Sequence, residues 1–218
     1  MPSVVPIQEM PAGVTPSTRA HDLEHVEQLF ERLGLGRLVR PMPPRMLWAA
    51  YVFSNGFLSI ALLAVLALAT GVPFVFPSLG PTAYQLFFLP RAAASTPRNT
   101  LIGHAIGLVC GYGAYRIVGM PVSAALVQRE FDWRLGVAAA LSLAATAAIM
   151  ILLDASHPPA GATTLIVSLG IITKPQDLAV IEAAVLVITV QAFCIHRLAG
   201  VPYPVWKLPK PAQRYHSP

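Results

Sequence analysis

The sequence predicts an all-α fold, a polytopic bundle of membrane-crossing helices, and three observations predict it. Charged residues make up 11% of the chain and hydrophobic residues 55%, whereas a soluble domain carries roughly 25% charged residues. No Asp, Glu, Lys or Arg occurs between Arg45 and Arg91, and none from Leu135 to Leu153. Uncharged apolar stretches beyond about 18 residues have the helical length to cross a ~30 Å hydrocarbon core. This composition argues against a soluble enzyme. The net charge of +5 does not indicate nucleic acid, because Lys and Arg flank the apolar segments without runs or interleaved aromatics. That placement suits membrane lipids, orienting spans and meeting anionic headgroups.

Residues 1–20, with Pro2, Pro6, Pro11, Gly13 and Pro16, read as a flexible tail. Asp22 to Leu38 reads as a short amphipathic helix with Leu23, Val26, Leu29, Phe30 and Leu33 on one face. It is expected at the membrane interface or against a neighbouring subunit, and Pro41, Pro43 and Pro44 break it. Six apolar segments follow: Leu47 to Thr70, Ser78 to Leu89, Asn99 to Tyr115, Leu135 to Leu153, Pro158 to Thr173, and about Leu178 to His196. The second and fifth are short or re-entrant. The expected domains are a cytoplasmic amino-terminal region over 1–45, a transmembrane domain over 46–198, and a cytoplasmic tail over 199–218. No cleavable signal is read near the amino terminus, so the first span is expected to direct its own insertion.

An internal repeat relates the two halves, about 46–116 and 134–198. Pro77, Gly80 and Thr82 match Pro158, Gly161 and Thr163 at a constant offset of 81 (158 − 77, 161 − 80, 163 − 82). Each motif follows a long apolar segment and opens a shorter one. Three segments per half is an odd number, so the expectation is a 3+3 inverted repeat, with a transport site at the paired interruptions. The positive-inside rule places eleven of the 15 Lys and Arg on the cytoplasmic side with six spans, and twelve with four. Both counts put the termini in the cytoplasm. So few small spans offer little wall for an enclosed path, and a homo-oligomer is expected. Gly103, Gly107 and Gly111 stand four residues apart, a spacing that lets a neighbouring backbone approach closely. Cys110 and Cys194 lie in apolar segments without a CxxC pair and read as packing residues, with no disulfide, metal or cofactor expected.

The chemistry concentrates in Asp154-Ala-Ser-His-Pro-Pro-Ala-Gly-Ala-Thr-Thr164. An ionisable group at membrane depth is costly unless it meets water, a partner or a ligand. Two prolines are tolerated at a helix start. The N–H groups of Ala160, Gly161 and Ala162 are then expected to point out of a helix N-terminus, an end that attracts anions. The repeat expects a similar end at Ser78, Leu79, Gly80 and Thr82. Substrate-binding candidates are therefore Ser78, Gly80, Thr82, His157, Gly161, Thr163 and Thr164. His157, with His104 and Asp154, is a candidate gate or proton relay, since imidazole titrates near pH 6.5. A neutral, carbonyl-bonded His157 is the alternative; Asp154 either orients that imidazole or ends the fourth helix. Arg98 and Asn99 either mark the mouth of the path or anchor and cap the third helix. His196 and Arg197 read as interfacial end markers, and Tyr203 and Trp206 as an aromatic belt. Glu182 receives no role. No HExxH pair or nucleophile-base motif argues for an enzyme. The expected function is transport or conduction of a small inorganic anion, with a cation path, an intramembrane enzyme or a structural module as alternatives.

Ser156-His157-Pro158-Pro159-Ala160-Gly161-Ala162 resembles the signature of the HPP family of integral membrane proteins. Phe76-Pro77-Ser78-Leu79-Gly80 and Pro97-Arg98-Asn99 with Gly103-His104 resemble that family's other recurrent elements, and the likeness covers about residues 45–198. Pro81 stands where the family pattern carries a small residue. The resemblance implies at least four spans and, from plant and cyanobacterial members, nitrite as the substrate. Long alanine-rich membrane helices suit a bacterium of high genomic GC content, and the expected location is the bacterial cytoplasmic (inner) membrane.

Overall fold

The computed structural model describes residues 16–119 and 133–207, and every regular element among these residues is helical. The first residues of the expected tail, most of the charged loop between the third and fourth segments, and residues 208–218 lie outside the described residues.

Helix α1, Pro16–Arg32, starts inside the expected tail and stops short of Leu38. Gly34 turns the chain at φ 78, a conformation that glycine adopts without penalty, before the single turn α2, Gly36–Val39. The anticipated face is mostly realised: Val26 is fully buried and Leu23, Leu29 and Phe30 pack against the core, while Leu33 is exposed. On the same helix Asp22 is buried and ion-paired to Arg91. That pair and the apolar stripe dock α1 on the bundle.

Helix α3, Pro44–Thr70, begins on a proline and ends at Gly71 in the left-handed region. Leu47, Trp48, Tyr51, Asn55, Ser59 and Leu63 form its buried stripe at spacings of three and four. Phe53, Phe57 and Leu68 face outward with 66% or more of their surface exposed, which suits lipid. Then come α4 (Leu79–Phe88), α5 (Pro97–Ile117), α6 (Trp133–Leu152), α7 (Ala160–Ser168) and α8 (Pro175–Ala199). Pro81 falls in the first turn of α4, where a missing N–H costs no helical bond.

Among the described residues three helices, α3, α6 and α8, are long and apolar enough to cross a membrane. With ten and nine residues, α4 and α7 rise only about 15 and 14 Å, half the ~30 Å required. α5 runs through the middle, packing on α6, α7 and α8, while α4 packs on α3 and α8. Each short helix therefore lies against the last long helix of the opposite half.

The glycine stripe of α5 explains its approach to α7. A Cβ at Gly107 would stand 2.8 Å from the Ala160 carbonyl oxygen, and one at Gly111 2.6 Å from that of Thr164. At Gly103 it would stand 2.6 Å from the His157 Cβ. These glycines are a packing seam.

Candidate functional site

The α5–α7 seam brings four predicted residues to one point between the short helices. Thr82 is the fourth residue of α4 and Thr163 the fourth of α7. His104 on α5 lies between them, with Nε2 2.8 Å from Thr82 Oγ1 and Nδ1 2.7 Å from Thr163 Oγ1. His157, one turn before α7, places Nε2 3.5 Å from Thr82 Oγ1 and Nδ1 2.6 Å from the Ala94 carbonyl. The two imidazoles are 5.0 Å apart between centroids. Thr82, His104, His157 and Thr163 are each 0% exposed.

The partners fix the direction of these bonds. A carbonyl only accepts, so His157 donates from Nδ1 to Ala94 and, when neutral, presents Nε2 as an acceptor. Thr82 donates its one proton towards the Ser78 carbonyl at 3.1 Å. Its oxygen then accepts from His104 Nε2–H, leaving Nδ1 to accept the Thr163 hydroxyl. The result is an ordered polar thread from α7 through α5 to α4. Alongside it, Thr146 of α6 donates to Thr164 at 3.1 Å. Ser78 Oγ, 0% exposed and one residue ahead of α4, has no hydrogen-bond partner among the described residues. A buried hydroxyl without a partner costs about 1–3 kcal/mol.

Several expectations are corrected. The N–H groups of Ala160, Gly161 and Ala162 do not point into open space; they donate to the carbonyls of His157, Pro158 and Pro159 at 2.9–3.0 Å. Leu79 N–H likewise donates to Phe76. Tight turns ahead of α7 and α4 take up these donors, so the site's hydrogen-bonding groups are side chains. Gly80 is exposed with open space around it, and a Cβ at Gly161 would meet only Leu143 at 3.4 Å.

Asp154 ends α6 in the left-handed region at φ 49, and its carboxylate pairs with Lys207 at 2.6 Å. The partner of His157 Nδ1 is thus Ala94, not Asp154. Arg98 donates to the carbonyls of Leu153 and Asp154 at 2.9 and 2.7 Å, capping α6. Asn99 caps the preceding turn through Nδ2 to the Ala93 carbonyl, while its own N–H is accepted by Thr96.

His196 is no interfacial marker. It is fully buried, with Tyr51 Oη 3.0 Å from Nδ1 and the Leu86 carbonyl 3.2 Å from Nε2, and so ties α3, α8 and α4 together. Tyr203 stacks on that ring and donates to the Ser95 carbonyl, whereas Trp206 is exposed. Sequence reasoning also passed over Thr146. Its signal was present, since Ser142 and Thr146 are hydroxyls four residues apart in an alanine-rich helix, both buried.

An all-helical bundle with spans of this kind and a buried polar centre defines an integral membrane protein. A family model described as HPP, transmembrane region, matches residues 40–204, and the chain belongs to that family. It is also similar to a transmembrane protein of Dictyostelium discoideum, 28% identical over 152 residues. The match covers 67% of this chain and 50% of that protein, so the chain spans about half the length of the curated relative it matches. No solved structure matches.

Proposed function

We propose that this protein passes a small inorganic anion across a membrane, and that Thr82, Thr163, Ser78, His104 and His157 handle it. The observation that carries the proposal is the bridge of His104 between Thr82 and Thr163, in the first turns of two helices too short to cross. Hydroxyl and imidazole donors near two helix N-termini offer partial positive charge without a fixed cation. Such a site suits a monovalent anion that sheds part of its water. A cation site would call for carboxylates, and none among the described residues contributes to this centre.

The family resemblance makes nitrite the leading substrate. Packing of each short helix on the opposite half's long helix supports an inverted 3+3 repeat, and with it alternation of access about the His104 bridge. The closed thread corresponds to an occluded state, in which hydroxyls bond imidazoles until an anion replaces them. Cytoplasmic termini, a bacterial cytoplasmic membrane and a homo-oligomer complete the reading.

The test is uptake of nitrite by purified protein in liposomes, with nitrate, formate and chloride as competitors. Saturable, competed uptake above that of protein-free vesicles is expected. A folded protein that passes none of these anions would refute the proposal.

A further inference from the structure

The outer face of the bundle carries a groove of about 640 Å³ between α1, α3 and α4, and none of the residues around His104 lines it. Its walls are Leu23 of α1, Ala49, Val52 and Phe53 of α3, and Tyr84 and Phe88 of α4. The Tyr84 and Phe88 rings stack at 4.7 Å and 18°, forming one continuous aromatic wall. At one end stands Arg45, exposed and without an ion pair among the described residues. No Asp or Glu lines the groove.

The α3 residues share one helix face. Arg45, Trp48, Ala49, Val52 and Phe53 stand at i, i+3, i+4, i+7 and i+8, so the groove runs along the helix from a charge to apolar side chains. Phe53 follows Arg45 by eight residues (53 − 45), about 12 Å further along the axis. Arg45 also lies in the first turn of α3, the helix end that attracts negative charge. A cation at the head of an apolar trough matches the polarity of one phospholipid, an anionic headgroup followed by a hydrocarbon chain.

The surface beside the groove fits the same occupant. From Glu31 to Met46 four arginines, Arg32, Arg37, Arg40 and Arg45, stand against one acid, and Glu31 already pairs with Arg40. Leu33, Leu38 and Met46 lie among them with more than half of their surface exposed. Exposed apolar side chains interleaved with arginines suit a face that rests on an anionic membrane surface. A second copy docked two-fold through this face would set the arginine cluster against its own equivalent.

We infer that the groove binds one anionic phospholipid, with its phosphate on Arg45 and an acyl chain along Ala49, Val52, Phe53 and the Tyr84–Phe88 wall. The inference does not depend on the anion-transport reading above.

Native mass spectrometry of the detergent-purified full chain tests it, after exposure to equal amounts of phosphatidylglycerol and phosphatidylcholine. One phosphatidylglycerol is expected to stay bound, at roughly fivefold or more the occupancy of phosphatidylcholine. Arg45→Gln should remove that preference, and Ala49→Trp, which fills the groove, should release the lipid itself. Both substituted side chains are exposed, so the two variants are expected to keep their helical content. Arg116→Gln, in the last turn of α5 and outside the groove, should leave retention unchanged. Glycerophosphate, a headgroup without chains, should not displace the lipid. Equal retention of the two lipids by the unaltered chain, or unchanged phosphatidylglycerol retention in either Arg45→Gln or Ala49→Trp, would overturn the inference. Displacement by glycerophosphate would do the same, as would a lipid-free dimer that Ala49→Trp dissociates, which would give the groove to a second copy.

Discussion

Thr82 and Thr163 occupy the same place, the fourth residue, in the two short helices, and each bonds a different nitrogen of His104. One imidazole thus joins the two short helices directly. Separating α4 from α7 would break one of these bonds, so the bridge holds the two short helices together.

The first prediction concerns that bridge. Replacing Thr82 by Val removes the acceptor of His104 Nε2–H while keeping the shape of the side chain. A stranded buried donor costs about 1–3 kcal/mol, so nitrite flux should fall roughly tenfold or more. Thr163→Val should do the same. Flux per folded molecule, measured in liposomes, checks both.

A second prediction separates the packing glycines from the motif glycines. Gly111→Ala drives a methyl into the Thr164 carbonyl and Val167, and should destabilise the protein by about 1–3 kcal/mol. Gly80→Ala meets nothing within 4 Å and should leave stability unchanged or raise it by up to about 1 kcal/mol. Thermal unfolding in detergent distinguishes them; equal losses would contradict the seam.

His196 and His104 are both buried imidazoles, yet their expected phenotypes differ. His196→Ala strands the Tyr51 hydroxyl and the Leu86 carbonyl and leaves a cavity under Tyr203. A loss of about 3 kcal/mol or more in stability is expected, with no change in the apparent affinity for nitrite. A variant of normal stability but weakened affinity would place His196 in the path instead.

Arg98 is expected to act as a cap. Arg98→Ala unpairs the Leu153 and Asp154 carbonyls at a half-exposed helix end, and should cost about 1 kcal/mol. Its effect should appear in unfolding midpoints. A change in which anion competes best would return it to the mouth of the path.

Much of the fold could be read from the residues because the bilayer permits few answers. Charge-free runs set α3 and α6, and Pro44 and Gly71 set the ends of α3. The first turns of α4 and α7 were legible through the spacing of Pro77, Gly80 and Thr82 against Pro158, Gly161 and Thr163. The meeting of Thr82, His104 and Thr163 was not, since no local pattern states which face of α5 turns towards α7. Only the closeness allowed at Gly107 and Gly111 determines that. Hydropathy also misplaced His196 and Tyr203, because a polar group at the end of an apolar run looks the same whether lipid or the Tyr51 hydroxyl awaits it. The occupied N–H groups ahead of α7 escaped for a related reason: Pro158-Pro159 indicates a helix start but not the tight turn that consumes its first donors.

The most direct test is nitrite uptake by His104→Gln alongside Thr82→Val/Thr163→Val, in vesicles holding equal amounts of folded protein. Glutamine retains a donor and an acceptor but cannot reach both threonines with ring geometry. The account predicts that flux per folded molecule falls at least tenfold in each, while His104→Gln keeps its helical content and loses about the 1–3 kcal/mol of one unmade buried hydrogen bond. Undiminished, saturable uptake in both variants would contradict it, and would move the anion path away from the centre that joins the two short helices.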